Sequence, residues 1–99
     1  MPPVVIWSPR SIECIQRLYN FLADKNIEAA KAAAALILKQ ADLLAVFPNA
    51  GRPAEDLDPE HRELLIPFGA AGYALLYRFD EDRAAVTVLA VRHQKEVGY

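Results

Sequence analysis

A single cysteine, Cys14, is all the chain offers to thiol chemistry. An internal disulfide and a cysteine-rich metal site are therefore excluded, and a reducing, cytoplasmic setting is expected. Glycine is scarce as well. The four glycines stand at 51, 69, 72 and 98, so no Gly-rich loop can cradle a phosphate. His61 and His93 lack flanking cysteines or paired acids at ligand spacing, and neither a metal nor another cofactor is expected. The longest unbroken apolar run is Ala32 to Leu38, far below the roughly 18 residues of a membrane span. Met1-Pro2-Pro3 has no basic region followed by an apolar stretch, so no signal peptide is expected. Repeats, low-complexity tracts and linkers are missing too, and residues 1–99 read as a single domain.

A basic excess is also lacking. Lys and Arg number 11 against 13 Asp and Glu, for a formal charge of −2. Residues 1–50 hold 5 basic and 4 acidic side chains, residues 51–99 hold 6 and 9. A protein that grips a phosphate backbone by charge normally shows the opposite balance. Direct nucleic-acid binding is not expected on this ground.

What is abundant is apolar: 54% of the residues are hydrophobic, above the roughly 45–50% of ordinary soluble domains. Val4-Val5-Ile6-Trp7 reads as a short buried strand. Ser8 offers an N-cap hydroxyl and Pro9 suits the first helical position. Ile12, Ile15, Leu18, Tyr19 and Leu22 then recur at helical spacing, which predicts an amphipathic helix over 9–24 with Cys14 beside its stripe as a packed or half-exposed thiol. Asn26 can cap a second helix, built on Ala29-Ala30 and Ala32 to Ala35 and ended by Phe47-Pro48-Asn49-Ala50-Gly51. With so short a connector the helices form an antiparallel hairpin.

Arg52 to Glu60 reads as an exposed acidic loop, and from there the period changes from 3.6 to 2. Arg62 to Pro67 predicts a strand, Gly69-Ala70-Ala71-Gly72 a flexible connection, and Tyr73 to Phe79 a second strand with Tyr73, Leu75, Tyr77 and Phe79 on one face. Asp80-Glu81-Asp82-Arg83 forms a charged turn before a third β run, Ala84 to Val91. The fold class is therefore α+β: an N-terminal strand, a helical hairpin and an antiparallel three-stranded meander in one small sheet. Strict alternation puts Val86, Val88 and Ala90 on one face of the last strand and Leu89 and Val91 on the other. A helical hairpin covers one face, so the second is expected to curl in or meet a partner.

Candidate chemistry gathers on Arg62, Arg78, Arg92, His93, Lys95 and Tyr99. RNA cleavage by 2′-OH attack needs a group to take a proton, one to return it, and cations for the developing charge. The alternative is plainer: arginines often end strands, and His93 caps the sheet. Ser8 and Ser11 lie at a helix start, where capping accounts for them. The acids Glu55, Asp56, Asp58 and Glu60 on a proline-bearing loop read as a solvated surface.

WSPRSIECI, FPNAGRP, RELLIPF, YALLYRF and the closing VLAVRHQKEVGY, in this order and spacing over essentially the whole chain, resemble the RelE/ParE toxin superfamily. These are the toxins of type II toxin–antitoxin modules, often called plasmid stabilisation proteins. The resemblance implies a compact α+β toxin neutralised by a cognate antitoxin whose C-terminal segment folds onto it, with a hetero-oligomer as one form. It also implies one of two activities. RelE-like members cut mRNA on the ribosome, and ParE-like members act on DNA gyrase without cutting anything.

Nucleolytic members commonly carry a mid-strand arginine where this chain has Ala74, and some place a tyrosine directly after the C-terminal histidine, where it has Gln94. Arg78 shares the face of Ala74 but lies about 13 Å further along the strand. Tyr99 can replace the missing tyrosine only if the tail folds back. The ParE-like reading is therefore the expectation: a growth-inhibiting binder, with Arg62, Tyr73, Tyr77, Arg78, Arg92, His93 and Lys95 as its target surface. The helical hairpin and open sheet face receive the antitoxin. The alternatives are a RelE-like ribosome-dependent endoribonuclease, using His93 with Arg62 or Arg78, and a module member that has lost toxicity.

Overall fold

Ser8 and Pro9 decide where the first helix begins. The Ser8 hydroxyl accepts from the Ser11 backbone N–H at 3.1 Å and donates to the Leu89 carbonyl at 3.2 Å, so one side chain caps a helix and pins it to the sheet. Asn26 caps the second helix by accepting from the Ala29 N–H at 3.0 Å. The computed structural model describes residues 2–55, 57–96 and 99. Its elements are β1 Val4–Trp7, α1 Pro9–Ala23, α2 Ile27–Leu43, β2 Arg52–Pro53, β3 His61–Phe68, β4 Ala71–Asp80 and β5 Ala85–His93.

The strands form one five-stranded sheet in the order β1-β5-β4-β3-β2. β3, β4 and β5 make the expected meander, and β1 lies parallel to β5, with Val4 opposite Ala85 and Trp7 opposite Val88. The sheet is thus mixed, and the helical hairpin carries the chain from β1 at one edge to β2 at the other. The loop expected over 52–60 contributes an edge strand instead. Arg52 pairs with Glu63 and Pro53 with Arg62, and an edge position is where proline is tolerated. The connection expected over 69–72 tightens to Gly69-Ala70, because Phe68 and Ala71 already pair. Gly69 has φ +61° there.

The core lies between the hairpin and one sheet face. Leu18, Ala33, Ile37, Ala41 and Leu44 pack against Ile66, Tyr73, Leu75, Tyr77, Val86, Val88 and Val91. The buried positions of α2 are small where it meets α1, at Ala30 and Ala33, which lets the helices approach closely. Ile12, expected in the α1 stripe, is 47% exposed. Alternation fails once, in β5. Leu76 pairs with Ala90 and Tyr77 with Val88, leaving Leu89 as the extra residue of a β-bulge. Beyond it the faces swap, so Val91 joins the helix-covered core and Ala90 and Arg92 face away, the reverse of the alternation read from the sequence.

Candidate functional site

β4 sets the register of everything that follows. Tyr73, Leu75 and Tyr77 face the helices, and Ala74, Leu76 and Arg78 face away. Both tyrosines expected on the target surface belong to the core, with 5% of Tyr73 and none of Tyr77 exposed. The Tyr77 hydroxyl donates to the Pro48 carbonyl at 2.7 Å and accepts from the Gly51 N–H at 2.9 Å, so it ties the α2–β2 connection to the sheet. Burial pushes both phenols above their ordinary pKa.

The remaining candidates separate into three places. Arg62 and Arg78 lie toward the end of the sheet where β4 finishes. Arg62 donates to the Gly51 carbonyl at 2.6 Å, and Arg78 pairs with Glu60 at 3.0 Å. Asp58, Glu60 and His61 bring possible metal-ligand atoms within 4.8 Å of one another, but Glu60 is engaged by Arg78. Of the acidic loop, Glu55, Asp58 and Glu60 are exposed, and Asp56 lies outside the described residues.

His93 sits at the opposite end of β4, edge-on to Tyr73 with ring centroids 5.7 Å apart. Its Nδ1 accepts from the Lys95 backbone N–H at 3.1 Å, which leaves Nε2 as the site for its proton. Arg17, Leu18, Phe21, Leu22, Phe68, Tyr73, His93, Lys95 and Glu96 line a groove of about 590 Å³ there.

The third place joins two of the candidates, Arg92 and Tyr99, through Glu63, which was not anticipated. On the sheet face away from the helices, Glu63 is 8% exposed and holds Arg52 at 2.6 Å and Arg92 at 3.4 Å. Tyr99 folds back and donates its hydroxyl to the same carboxylate at 2.5 Å, with the Arg92 guanidinium 5.0 Å from its ring. Burial alone would raise the Glu63 pKa. The hydrogen bonds from Tyr99 and Arg52, and the charges of Arg52 and Arg92, more than reverse that and lower it. Tyr99 is raised, by burial first and by Glu63 second. Arg92 also donates to the carbonyls of His93, Gln94 and Glu96, which makes it the hub of the exit from β5. In the sequence Glu63 was one acid in a strand. Its pairing with an arginine 29 residues later depends on the bulge, which no local pattern announces.

Helices on one face of a small mixed sheet, with a charged exit from the last strand, make the α+β architecture that the resemblance to the RelE/ParE toxins implies. The chain belongs to the family described as the ParE toxin of the type II toxin–antitoxin system parDE, whose model matches residues 5–98. It is 36% identical over 88 residues to Toxin RelE3 of Caulobacter vibrioides, across 89% of this chain and 90% of that protein. The fold is shared with the chromosomal ParDE system from P. aeruginosa at TM-score 0.75 and 19% identity, over 92% of this chain and 95% of that one. It is also shared with the RelBE2 toxin–antitoxin complex of Mycobacterium tuberculosis at TM-score 0.67 and 21% identity, over 95% and 100%. At such identities the two structures establish the fold alone.

Proposed function

We propose that this toxin stops growth by binding a protein target, DNA gyrase, and that a cognate antitoxin neutralises it. One observation carries the choice of binding over RNA cleavage: the groups a nuclease would need diverge. Arg92 pairs opposite Ala74 on the sheet face away from the helices, while its neighbour His93 pairs opposite Tyr73 on the helix side. Arg62 and Arg78 lie at the other end of β4, about 13 Å or more from either. A phosphorane needs its cations and proton carriers within hydrogen-bond reach of one centre.

The acidic balance supports the same choice. Of the target surface expected from the sequence, the exposed Arg78 and Lys95 and the half-buried Arg62, Arg92 and His93 remain as contacts. Arginine at such positions is a frequent anchor of protein interfaces. The antitoxin is assigned to the helical hairpin and the sheet face away from it.

One observation favours the second reading, a ribosome-dependent endoribonuclease: Tyr99 does turn back onto the sheet, beside Arg92 and Glu63. Its hydroxyl is committed to Glu63 as a donor, however, and its raised pKa makes it a poor base at neutral pH. The test of the first reading is plasmid supercoiling by purified gyrase. The toxin should inhibit it, Arg78→Ala or Lys95→Ala should weaken that inhibition, and equimolar antitoxin should abolish it. Full supercoiling in excess toxin would exclude gyrase as the target.

A further inference from the structure

Lys95, the exposed cation at the exit from β5, is carried on a turn and not on a strand. The Glu96 N–H closes that turn by donating to the His93 carbonyl at 3.0 Å. The Lys95 N–H donates to His93 Nδ1 at 3.1 Å, and the Gln94 N–H to the Gly72 carbonyl at 2.9 Å. Three successive amides are therefore hydrogen-bonded within six residues of the last position. Chain ends are poorly ordered unless something ties them down.

Two ties hold this turn. Toward the helices, the Glu96 carboxylate accepts from the His93 N–H at 3.4 Å and pairs with Arg17 at 3.3 Å. Both side chains are largely in water, so that tie is weak. On the far face, one terminal nitrogen of Arg92 reaches the carbonyls of His93, Gln94 and Glu96 at 3.3, 3.2 and 2.9 Å, on both sides of Lys95. Its two hydrogens are shared among three acceptors, so the grip depends on what fixes the guanidinium. Glu63, two strands away, does so at 3.4 Å. The carboxylate is itself held by Arg52 at 2.6 Å and by the Tyr99 hydroxyl at 2.5 Å, and the Tyr99 ring centre lies 5.0 Å from the guanidinium. Hydrogen bonds to a charged group are the strong ones. Neither Glu63 nor Tyr99 is among the side chains assigned to the target.

We infer that Glu63 and Tyr99 are positioning residues: together they clasp Arg92, and through it they fix the turn that presents His93 and Lys95 to the target. Affinity for the target then depends on a carboxylate that the target does not touch. The positioning role rests on the gyrase reading above, whereas the fixing of the turn stands without it.

The experiment pairs native-state amide exchange of the purified toxin, read by NMR, with inhibition of gyrase supercoiling. In Glu63→Gln and in Tyr99→Phe the Gln94, Lys95 and Glu96 amides should exchange about tenfold faster, the factor that a hydrogen bond to a charged group sets. The toxin concentration for half-inhibition should rise about two- to tenfold, the cost of ordering a loosened side chain on binding. Tyr77→Phe removes a phenol hydroxyl that ties a different connection, from Pro48 to Gly51, and should leave both readouts as in the wild type. A merely structural Glu63 predicts that all three variants move together with global stability, and that result overturns the inference. Unchanged exchange at the turn in Glu63→Gln and Tyr99→Phe overturns the clasp. Faster exchange with undiminished inhibition overturns the positioning role and leaves the gyrase reading intact. Wild-type toxin that does not inhibit overturns the gyrase reading and the positioning role together, a result visible without any variant.

Discussion

Replacing Glu63 by Gln removes one charge and almost nothing of the side chain's shape. That charge is held by the Tyr99 hydroxyl at 2.5 Å, Arg52 at 2.6 Å and Arg92 at 3.4 Å. Arg52, with 63% of its side chain exposed, returns to water and contributes little. Arg92 is 17% exposed and already has one unpartnered donor, so it loses most. Breaking a buried pair from one side costs about 3–5 kcal/mol. With Arg52 discounted and the amide still able to accept from Tyr99, about 2–3 kcal/mol is expected. For a domain of this length that lowers Tm by roughly 10–20 °C.

The pH dependence has a defined sign. The folded pKa of Glu63 lies below its ordinary value of 4.5, so its contribution is complete above the unfolded pKa and is lost as pH falls through the folded one. Urea unfolding at pH 7 and at points below about 4.5 should therefore show the wild type converging on Glu63→Gln in acid. A cycle with Tyr99→Phe should show coupling, because a neutral amide accepts from the Tyr99 hydroxyl more weakly than the carboxylate does. A loss under about 0.5 kcal/mol at pH 7, the scatter of ordinary surface substitutions, would refute the buried-network argument, and so would parallel pH curves.

Tyr77→Phe deletes the hydroxyl that both the Pro48 carbonyl and the Gly51 N–H use. It should destabilise by about 1–3 kcal/mol in urea melts, since the buried Gly51 N–H and the half-buried Pro48 carbonyl lose their partner. Gly51→Ala places a Cβ 2.8 Å from the Glu63 carbonyl oxygen and from the Tyr77 ring. Overpacking of this kind costs about 1–3 kcal/mol, read by the same melts. Ser8→Ala removes the α1 cap and the tie to Leu89, for about 1 kcal/mol. Ala84 closes the β4–β5 turn at φ +49°, so Ala84→Gly should raise stability by on the order of 0.5 kcal/mol once the added flexibility of the unfolded chain is counted.

Both helices, their caps and the three long strands were legible because each is dictated locally. Ser8-Pro9 and Asn26 supply caps, the alanine block supplies propensity, and Tyr73 to Phe79 alternates without a break. The target surface was less legible. Tyr73 and Tyr77 look like binding residues in sequence because tyrosine serves both cores and interfaces, and only the helix packing decides between them. The position of Arg92 was hidden by Leu89. One extra residue in β5 sends Arg92 to the far face, where it meets Glu63 and Tyr99 from distant parts of the chain. The same face was expected to curl in or meet a partner. Ala74, Leu76 and Ala90 there are 0%, 6% and 1% exposed within the chain itself, which leaves Val4, Ile6 and Leu65 as the apolar surface for a partner.

The divergence of Arg92 and His93 is the basis for reading this toxin as a binder. Messenger RNA recovered from a ribosome-containing translation mixture after incubation with purified toxin tests it most directly. The account predicts intact message at every toxin concentration, for the wild type and for His93→Ala alike. Message cut by the wild type and spared by His93→Ala would contradict it.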